Sequence, residues 1–419
     1  MRGGLGYNGG VKIKENAMKL SEELAWRGFS AENTLKAVTD LDKGPRKFYW
    51  GCDPSADSLT IGNLAAAMMV SCFIRHGYEP YLLVGGATGQ IGDPKDTEER
   101  QLKALDEVEK NKAGIAAQFR RIIKADFTLV DNYDWFKEIK YLDFLREVGK
   151  QFSMTQLLDR EFVRARIGEG GSGLSYAEFS YSLIQGYDFL YLFRKYGVDM
   201  QLCGADQYGN CVSGIHLIKR LEGKSADVWS TPLVIDKVSG RKFGKSEGNA
   251  VWLDEGKTSV FDFYQFWLGL DDEGIDYYMK IYTLLGREEL EVVMSEHLKD
   301  VSKRVAQKRL AFGVTEIVHG TEKAEVVEKV TEVLFGGGDV EKLDEGAWGL
   351  LRGQLPVVGA GKTVSEILVE AGVVSGKGEV RRLISGGGVM VNGEKVSEDV
   401  MVERRSLVRK GKNKFVMVE

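Results

Sequence analysis

Between residues 46 and 254 short apolar runs alternate with amphipathic stretches, a pattern that leaves few folds open. Apolar runs of strand length bounded by turn residues fit strands buried on both faces. The amphipathic stretches between them supply the crossover helices that parallel pairing needs. The pattern predicts strands at Lys47–Gly51, Tyr81–Gly85, Phe127–Val130, Met200–Cys203 and Pro232–Ile235. Helices are expected over Ile61–His76, Leu142–Glu147, Ala177–Arg194 and Gln207–Leu221. Right-handed crossovers then give an α/β fold with a Rossmann-like parallel sheet, whose ligands sit at the carboxyl ends of the strands.

Beyond Val260 the strand signals fade and the period becomes helical, through Tyr264–Trp267, Tyr277–Leu285, Arg287–Leu298, Lys299–His319 and Ala324–Leu334. Gly336-Gly337-Gly338 opens a stretch that reads as a linker, and Thr363–Glu419 reads as two helices followed by short strands. Asn392-Gly393, between Val389-Met390-Val391 and Glu394-Lys395-Val396, is a strong hairpin signal. The expected organisation is a flexible leader (1–20), a catalytic domain (21–255), a small helical domain (256–336), a linker (337–361) and an α+β tail (362–419).

Composition narrows the setting. No apolar run approaches membrane-spanning length, and the Gly-rich opening has no apolar core of a secretory signal, so a cytoplasmic protein is expected. Cys52, Cys72, Cys203 and Cys211 show no CxxC and no metal-ligand spacing, so reduced thiols and no metal site are expected. The net charge of −5 is uneven: Lys362–Glu419 carries eleven Lys/Arg against eight Asp/Glu. A mildly basic tail on an acidic body allows a local RNA contact.

Three stretches carry chemistry. Gly51 to Asn63 joins a strand to a helix, whose N-terminus offers N–H groups to a phosphate. There Asp53-Pro54 makes the turn, Ser55 can donate a hydroxyl to a terminal phosphate, and Gly62 lets a nucleotide approach the backbone. In SGRKFGKSEGN, Lys242 and Lys245 can close two ammonium groups over a polyphosphate. In FSYSLIQGYD, Tyr181, Gln185 and Asp188 fall at i, i+4 and i+7, so one helix face presents phenol, amide and carboxylate amid apolar neighbours. Each alone also suits an ordinary turn or a solvated face. None of the four histidines sits in an evident triad.

The first two stretches together resemble the paired signatures of the class I aminoacyl-tRNA synthetases, and the third resembles their tyrosine-specific, bacterial or organellar branch. Thr60 and Asn63 stand at the two histidine positions of the first signature. The resemblance makes Thr60, Asn63, Lys242 and Lys245 catalytic, and puts Asp53, Ser55, Gly62, Gly204, Asp206 and Lys245 on ATP. It gives Asp188 and Tyr49 the substrate phenol, Tyr181, Gln185 and Asp93 its ammonium, and Gln207 the amino-acid end. Asn132 and Trp135 resemble a motif near the phenol pocket. KGEVRRLI followed by GGGVMVNGEKV resembles an S4-like RNA-binding domain, with Lys377, Arg381, Arg382 and Lys395 on the tRNA backbone. ATP with Mg²⁺, L-tyrosine and tRNA(Tyr) are the implied partners and a homodimer the implied assembly, with no tightly bound cofactor. Asp188, Tyr49 and the tail disfavour a tryptophan-specific relative. A non-catalytic RNA-binding relative, suggested by Thr60 and Asn63, is disfavoured by the retained lysines.

Overall fold

The structure is a computed structural model describing residues 18–94, 102–158, 161–168, 171–243, 245–246 and 249–419. Most of the expected leader (1–17) lies outside the described residues. The chain divides into two compact units: Met1–Leu253 with Asp276–Leu285, and Asp254–Ile275 with Gly286–Glu419.

The first unit is built on a five-stranded sheet of β1 (Lys47–Cys52), β2 (Glu79–Val84), β3 (Thr128–Asp131), β4 (Met200–Gly204) and β5 (Asp227–Thr231). Its order is β3-β2-β1-β4-β5, and every pairing is parallel. The chain runs outward from β1 through β2 to β3 and then returns to the far side of β1 at β4. The crevice outside the carboxyl ends of β1 and β4 is therefore the topological switch point. The central strands are buried almost throughout, as their apolar runs require. Pro232–Ile235 is not a strand. The fifth strand is the preceding Asp-Val-Trp-Ser-Thr, and only Ile235 makes an isolated bridge, to Lys242. Its polar ends hid it, although Trp229 and Ser230 are fully buried.

Two helices carry much of the site. Ile61–Arg75 starts at Thr60 and is buried round most of its circumference, with Leu64, Met68, Val70 and Phe73 in the core. Tyr176–Tyr196 is capped by Ser175, whose hydroxyl accepts from the Glu178 N–H, and ends on Gly197 in the left-handed region at φ 71. A third helix, Leu105–Ile122, was not anticipated from the sequence; it buries Val108, Ile115, Phe119 and Ile122.

In the second unit the helices Val260–Leu268, Arg287–Lys299, Val305–His319 and Thr321–Phe335 match the helical period. The expected run Lys299–His319 is broken at its start: Asp300 caps a short turn by accepting from Ser302, and Arg304 takes φ 52. The 337–361 stretch is not an extended linker. It holds the helix Glu345–Gln354, with Ala347, Trp348 and Leu351 buried, and the strand Val357–Val358, which pairs parallel to Lys414–Val418. Alternate residues of Ser406–Lys410 and Lys414–Val418 serve two cores. Val408, Val416 and Val418 pack on the tail's own helices, while Leu407, Phe415 and Met417 pack with Leu334, Trp348 and Leu351. The predicted hairpin is present, with Asn392 at φ 50 and Gly393 at φ 86. Among the described residues no helix is long and apolar enough to cross a membrane.

Candidate active site

The ends of β1 and β4 and one face of the Tyr176–Tyr196 helix converge on a polar pocket. Asp188 is 2 % exposed. One of its oxygens accepts from Trp135 Nε1 at 2.9 Å and the other from Asn132 Nδ2 at 3.1 Å. Burial pushes its carboxyl well above the usual carboxylate range, against the pull of those two donors. A further donor supplied by a ligand would favour the ionised form, so such a ligand is bound more tightly as Asp188 ionises.

Tyr49, on β1, packs its ring against Phe189 at 5.3 Å, and its hydroxyl has no partner among the described residues. Burial, with the Cys211 thiol and the Asp188 carboxyl nearby, pushes its phenol well above the ordinary value. A neutral hydroxyl buried beside a carboxyl and lacking a partner suits a second hydroxyl brought by a ligand. Gln185 directs its amide nitrogen at Cys211 Sγ, 3.6 Å away, and its oxygen likewise has no partner among the described residues. Tyr181 donates to Asp53 Oδ2 at 2.6 Å. Burial and the Asp53 charge keep it protonated. Asp93, after β2, accepts from Gln207 Nε2 at 2.8 Å and from Asn210 Nδ2 at 3.2 Å, which joins the β2 and β4 loops.

On the other side of the cleft, backbone bonds join the first signature stretch to the residues that follow the second. Thr60 bridges Trp252, Ile61 N–H donates to Val251 at 3.1 Å, and Leu253 N–H donates to Leu59 at 2.9 Å. Ile61 therefore gives its N–H to Val251, leaving fewer helix-end donors for an anion than the sequence implies. Asn63 Oδ1 accepts from both the Thr60 N–H and its hydroxyl, each at 3.0 Å. Its nitrogen lies 3.9 Å from Cys52 Sγ, a weak acceptor that a phosphate oxygen would outcompete. Burial, reinforced by Asp53, raises Cys52 to about 12, so it stays a thiol. A Cβ at Gly62 would meet only Thr60 Oγ1, at 3.6 Å, so packing does not require glycine there and the face is open to a ligand.

Lys242 is held by a hairpin in which Asp236 N–H donates to Arg241 and Phe243 N–H to Val234, each within 2.9 Å. Phe243 is buried and stacked on Tyr278 at 4.5 Å, so the hairpin is anchored while Lys242 stays exposed. Lys245 continues into the two-residue strand Lys245–Ser246, paired with Asn249–Ala250; its side chain lies outside the described residues. Ser55 and Asp206 are exposed at the ends of β1 and β4. A Cβ on Gly204 would lie 2.6 Å from Asp206 Oδ1, the tip of an exposed side chain that would have to turn away. His76 binds Glu23 and His216 meets the Gln151 carbonyl, so both are structural.

The sequence matches the family described as tRNA synthetases class I (W and Y) over residues 41–336, and the S4 domain over 365–406. The chain belongs to this synthetase family. The synthetase is 39 % identical to the tyrosine–tRNA ligase of Lactococcus lactis subsp. cremoris, over 96 % of this chain and all of that one. It is 38 % identical to that of Anaeromyxobacter dehalogenans, over 96 % and 99 %. A C-terminally truncated mitochondrial tyrosyl-tRNA synthetase of Aspergillus nidulans superposes with TM-score 0.67 at 28 % identity, covering 77 % of this synthetase and 95 % of that chain.

Some supporting residues escaped sequence reasoning. Asn111 and Gln118, on the unanticipated helix, hold the phosphate-side loop: Asn111 donates to the Pro54 carbonyl, and Gln118 accepts from Leu59 N–H at 2.7 Å and donates to Ser58 at 2.9 Å. Their spacing with Val108, Ile115 and Phe119 on one helix face was the available signal. In the tail, Arg381, Arg382 and Lys395 are exposed, whereas Lys377 is paired with Glu366 at 3.0 Å.

Proposed function

We propose that this synthetase is a tyrosine–tRNA ligase, which activates L-tyrosine with ATP and passes the tyrosyl group to the terminal ribose of its tRNA. The observation that carries the reading is Asp188, a buried carboxyl oriented by two fixed donors near the Tyr49 hydroxyl, which has no partner among the described residues. The substrate phenol donates to Asp188 and meets Tyr49. Its ammonium is held by Asp93, Tyr181 and Gln185, with Gln207 at the same end. This leaves the substrate carboxylate directed at the phosphates.

That carboxylate is already ionised at neutral pH, so no general base is needed. One of its oxygens attacks the α-phosphorus of ATP in line; the new C–O–P bond forms as the bond to the β-phosphate oxygen breaks, and pyrophosphate leaves with the electron pair. Lys242 and Lys245 neutralise the departing charge, and Mg²⁺ arrives with ATP as part of the substrate. Asp206 and Gly204 take the ribose, while Asp53, Ser55, Thr60, Gly62 and Asn63 line the adenosine and phosphate side. Lys377, Arg381, Arg382 and Lys395 contact the tRNA backbone. A homodimer is the proposed assembly, supported by the exposed Tyr141, Leu142 and Tyr176. The cytoplasm, where its four free cysteines stay reduced, is the proposed place of action.

ATP–pyrophosphate exchange by the purified chain, without tRNA, tests the reading. Exchange should depend on tyrosine and not on tryptophan. Tryptophan-dependent exchange would reassign the substrate, and none with either would leave an RNA-binding protein.

A further inference from the structure

A continuous hydrogen-bonded chain runs through the pocket wall from one end of the amino-acid site to the other. Tyr181 Oη donates to Asp53 Oδ2 at 2.6 Å, and Thr88 Oγ1 donates to Asp53 Oδ1 at 2.6 Å. Asn132 Nδ2 donates to Thr88 Oγ1 at 3.1 Å and to Asp188 Oδ2 at 3.1 Å. Thr88, Asn132 and Asp188 are each no more than 2 % exposed.

The direction of each proton is fixed. The Ala87 N–H can only donate, and it donates to Asn132 Oδ1 at 2.7 Å, so the nitrogen of Asn132 must face Thr88 and Asp188. That nitrogen can only donate, so the single Thr88 proton must go to Asp53. Asp53 then accepts from Thr88 and Tyr181 alike, which leaves the Tyr181 oxygen with its lone pairs for a ligand. Both ends of the chain thus present acceptors. The two ends of tyrosine, its α-ammonium and its phenol, are donors. Glycine makes the central link possible: a Cβ on Gly85 would stand 2.2 Å from both Asp53 Oδ1 and Thr88 Oγ1.

We propose that Thr88 is a positioning residue that locks the ammonium end of the pocket to the phenol end, so that Asp53 with Tyr181 and Asn132 with Asp188 are oriented as one unit. This rests on the tyrosine reading above. Thr88 touches no substrate and acts through its neighbours.

The test is tyrosine and phenylalanine binding to the full-length protein by equilibrium dialysis, with the KM for ATP from pyrophosphate exchange. Thr88→Val removes one charge-assisted hydrogen bond and strands a buried Asn132 N–H, so the tyrosine Kd should rise about tenfold or more. Any rise in the KM for ATP passes through Asp53, which also lines the phosphate side, and Thr88→Ser should restore tyrosine binding. Combining Thr88→Val with Tyr181→Phe should weaken binding by less than the product of the single effects, because both act through Asp53. A tyrosine Kd within about twofold of wild type in Thr88→Val overturns the proposal, as does Thr88→Ser as damaged as the valine variant. Should the valine variant fail to fold, Thr88→Cys keeps the volume with a weaker donor, and a tyrosine Kd unchanged there also overturns it. Asp188→Ala, measured alongside, separates the two levels. If it abolishes the tyrosine preference while Thr88→Val does nothing, Thr88 is no link and the tyrosine reading stands. If the wild-type protein binds no tyrosine, the reading itself has failed.

Discussion

At the scale of single residues, hydrogen bonds in the pocket wall fix the orientations of Asp53, Thr88 and Asn132. Gly85 shows how tight the fixing is. Its backbone is unremarkable in φ, so the cost of a side chain there is steric. Gly85→Ala would force apart Asp53 and Thr88, and should lower tyrosine-dependent exchange well beyond the about 1–3 kcal/mol of stability lost to overpacking. Exchange assays set beside thermal unfolding will separate the two effects. Lys242 works differently. Its side chain is exposed, on a hairpin anchored by its neighbour Phe243. Lys242→Ala should therefore slow exchange by about a hundredfold through lost stabilisation of the leaving charge, with the tyrosine Kd within about twofold. A large rise in that Kd would place Lys242 in the amino-acid pocket.

At the scale of elements, the helix Leu20–Arg27 is tied to the Ile61–Arg75 helix by one carboxylate. Glu23 accepts from Arg27 at 2.8 Å and His76 at 2.9 Å and also meets Arg75. Burial raises its pKa, but these partners overcome burial and bring it from 4.5 to about 2. Because the folded value is depressed, the stabilisation is complete above the ordinary value and is lost as pH falls towards about 2. The shift corresponds to roughly 3 kcal/mol at neutral pH. Glu23→Gln should lower the neutral-pH Tm and flatten the fall of Tm between about pH 5 and 2.5. A parallel fall in both proteins would remove Glu23 from the acid response. The three inner strands were legible because burial on both faces demands apolar runs. The fifth was not, since Asp227, Ser230 and Thr231 interrupt its run. The Glu345–Gln354 helix was masked by Gly346, Gly349 and Gly353, which lower helix propensity while Trp348 and Leu351 supply the burial that forms it. Tyr181, Gln185 and Asp188 were legible because they share one helix. The link through Thr88 was not, because its partners come from three separate stretches of chain.

At the scale of the whole molecule, the reading divides the labour: amino-acid activation in the first unit, tRNA contact in the tail of the second. Changing Arg381 and Arg382 together to Ala should raise the KM for tRNA about tenfold and flatten its salt dependence, leaving exchange without tRNA unchanged. Loss of exchange in that variant would show that the tail supports activation itself. Tyrosine recognition through a buried carboxyl remains the claim on which the rest depends. It is tested most directly by comparing exchange with tyrosine and with phenylalanine in wild type and in Asp188→Ala. Wild type should prefer tyrosine by about ten- to a hundredfold or more, since a hydrogen bond to a charged group contributes about 1.5–3 kcal/mol, and the variant should lose most of that preference. A wild type indifferent to the phenol hydroxyl, or a variant that keeps its full preference, would contradict it.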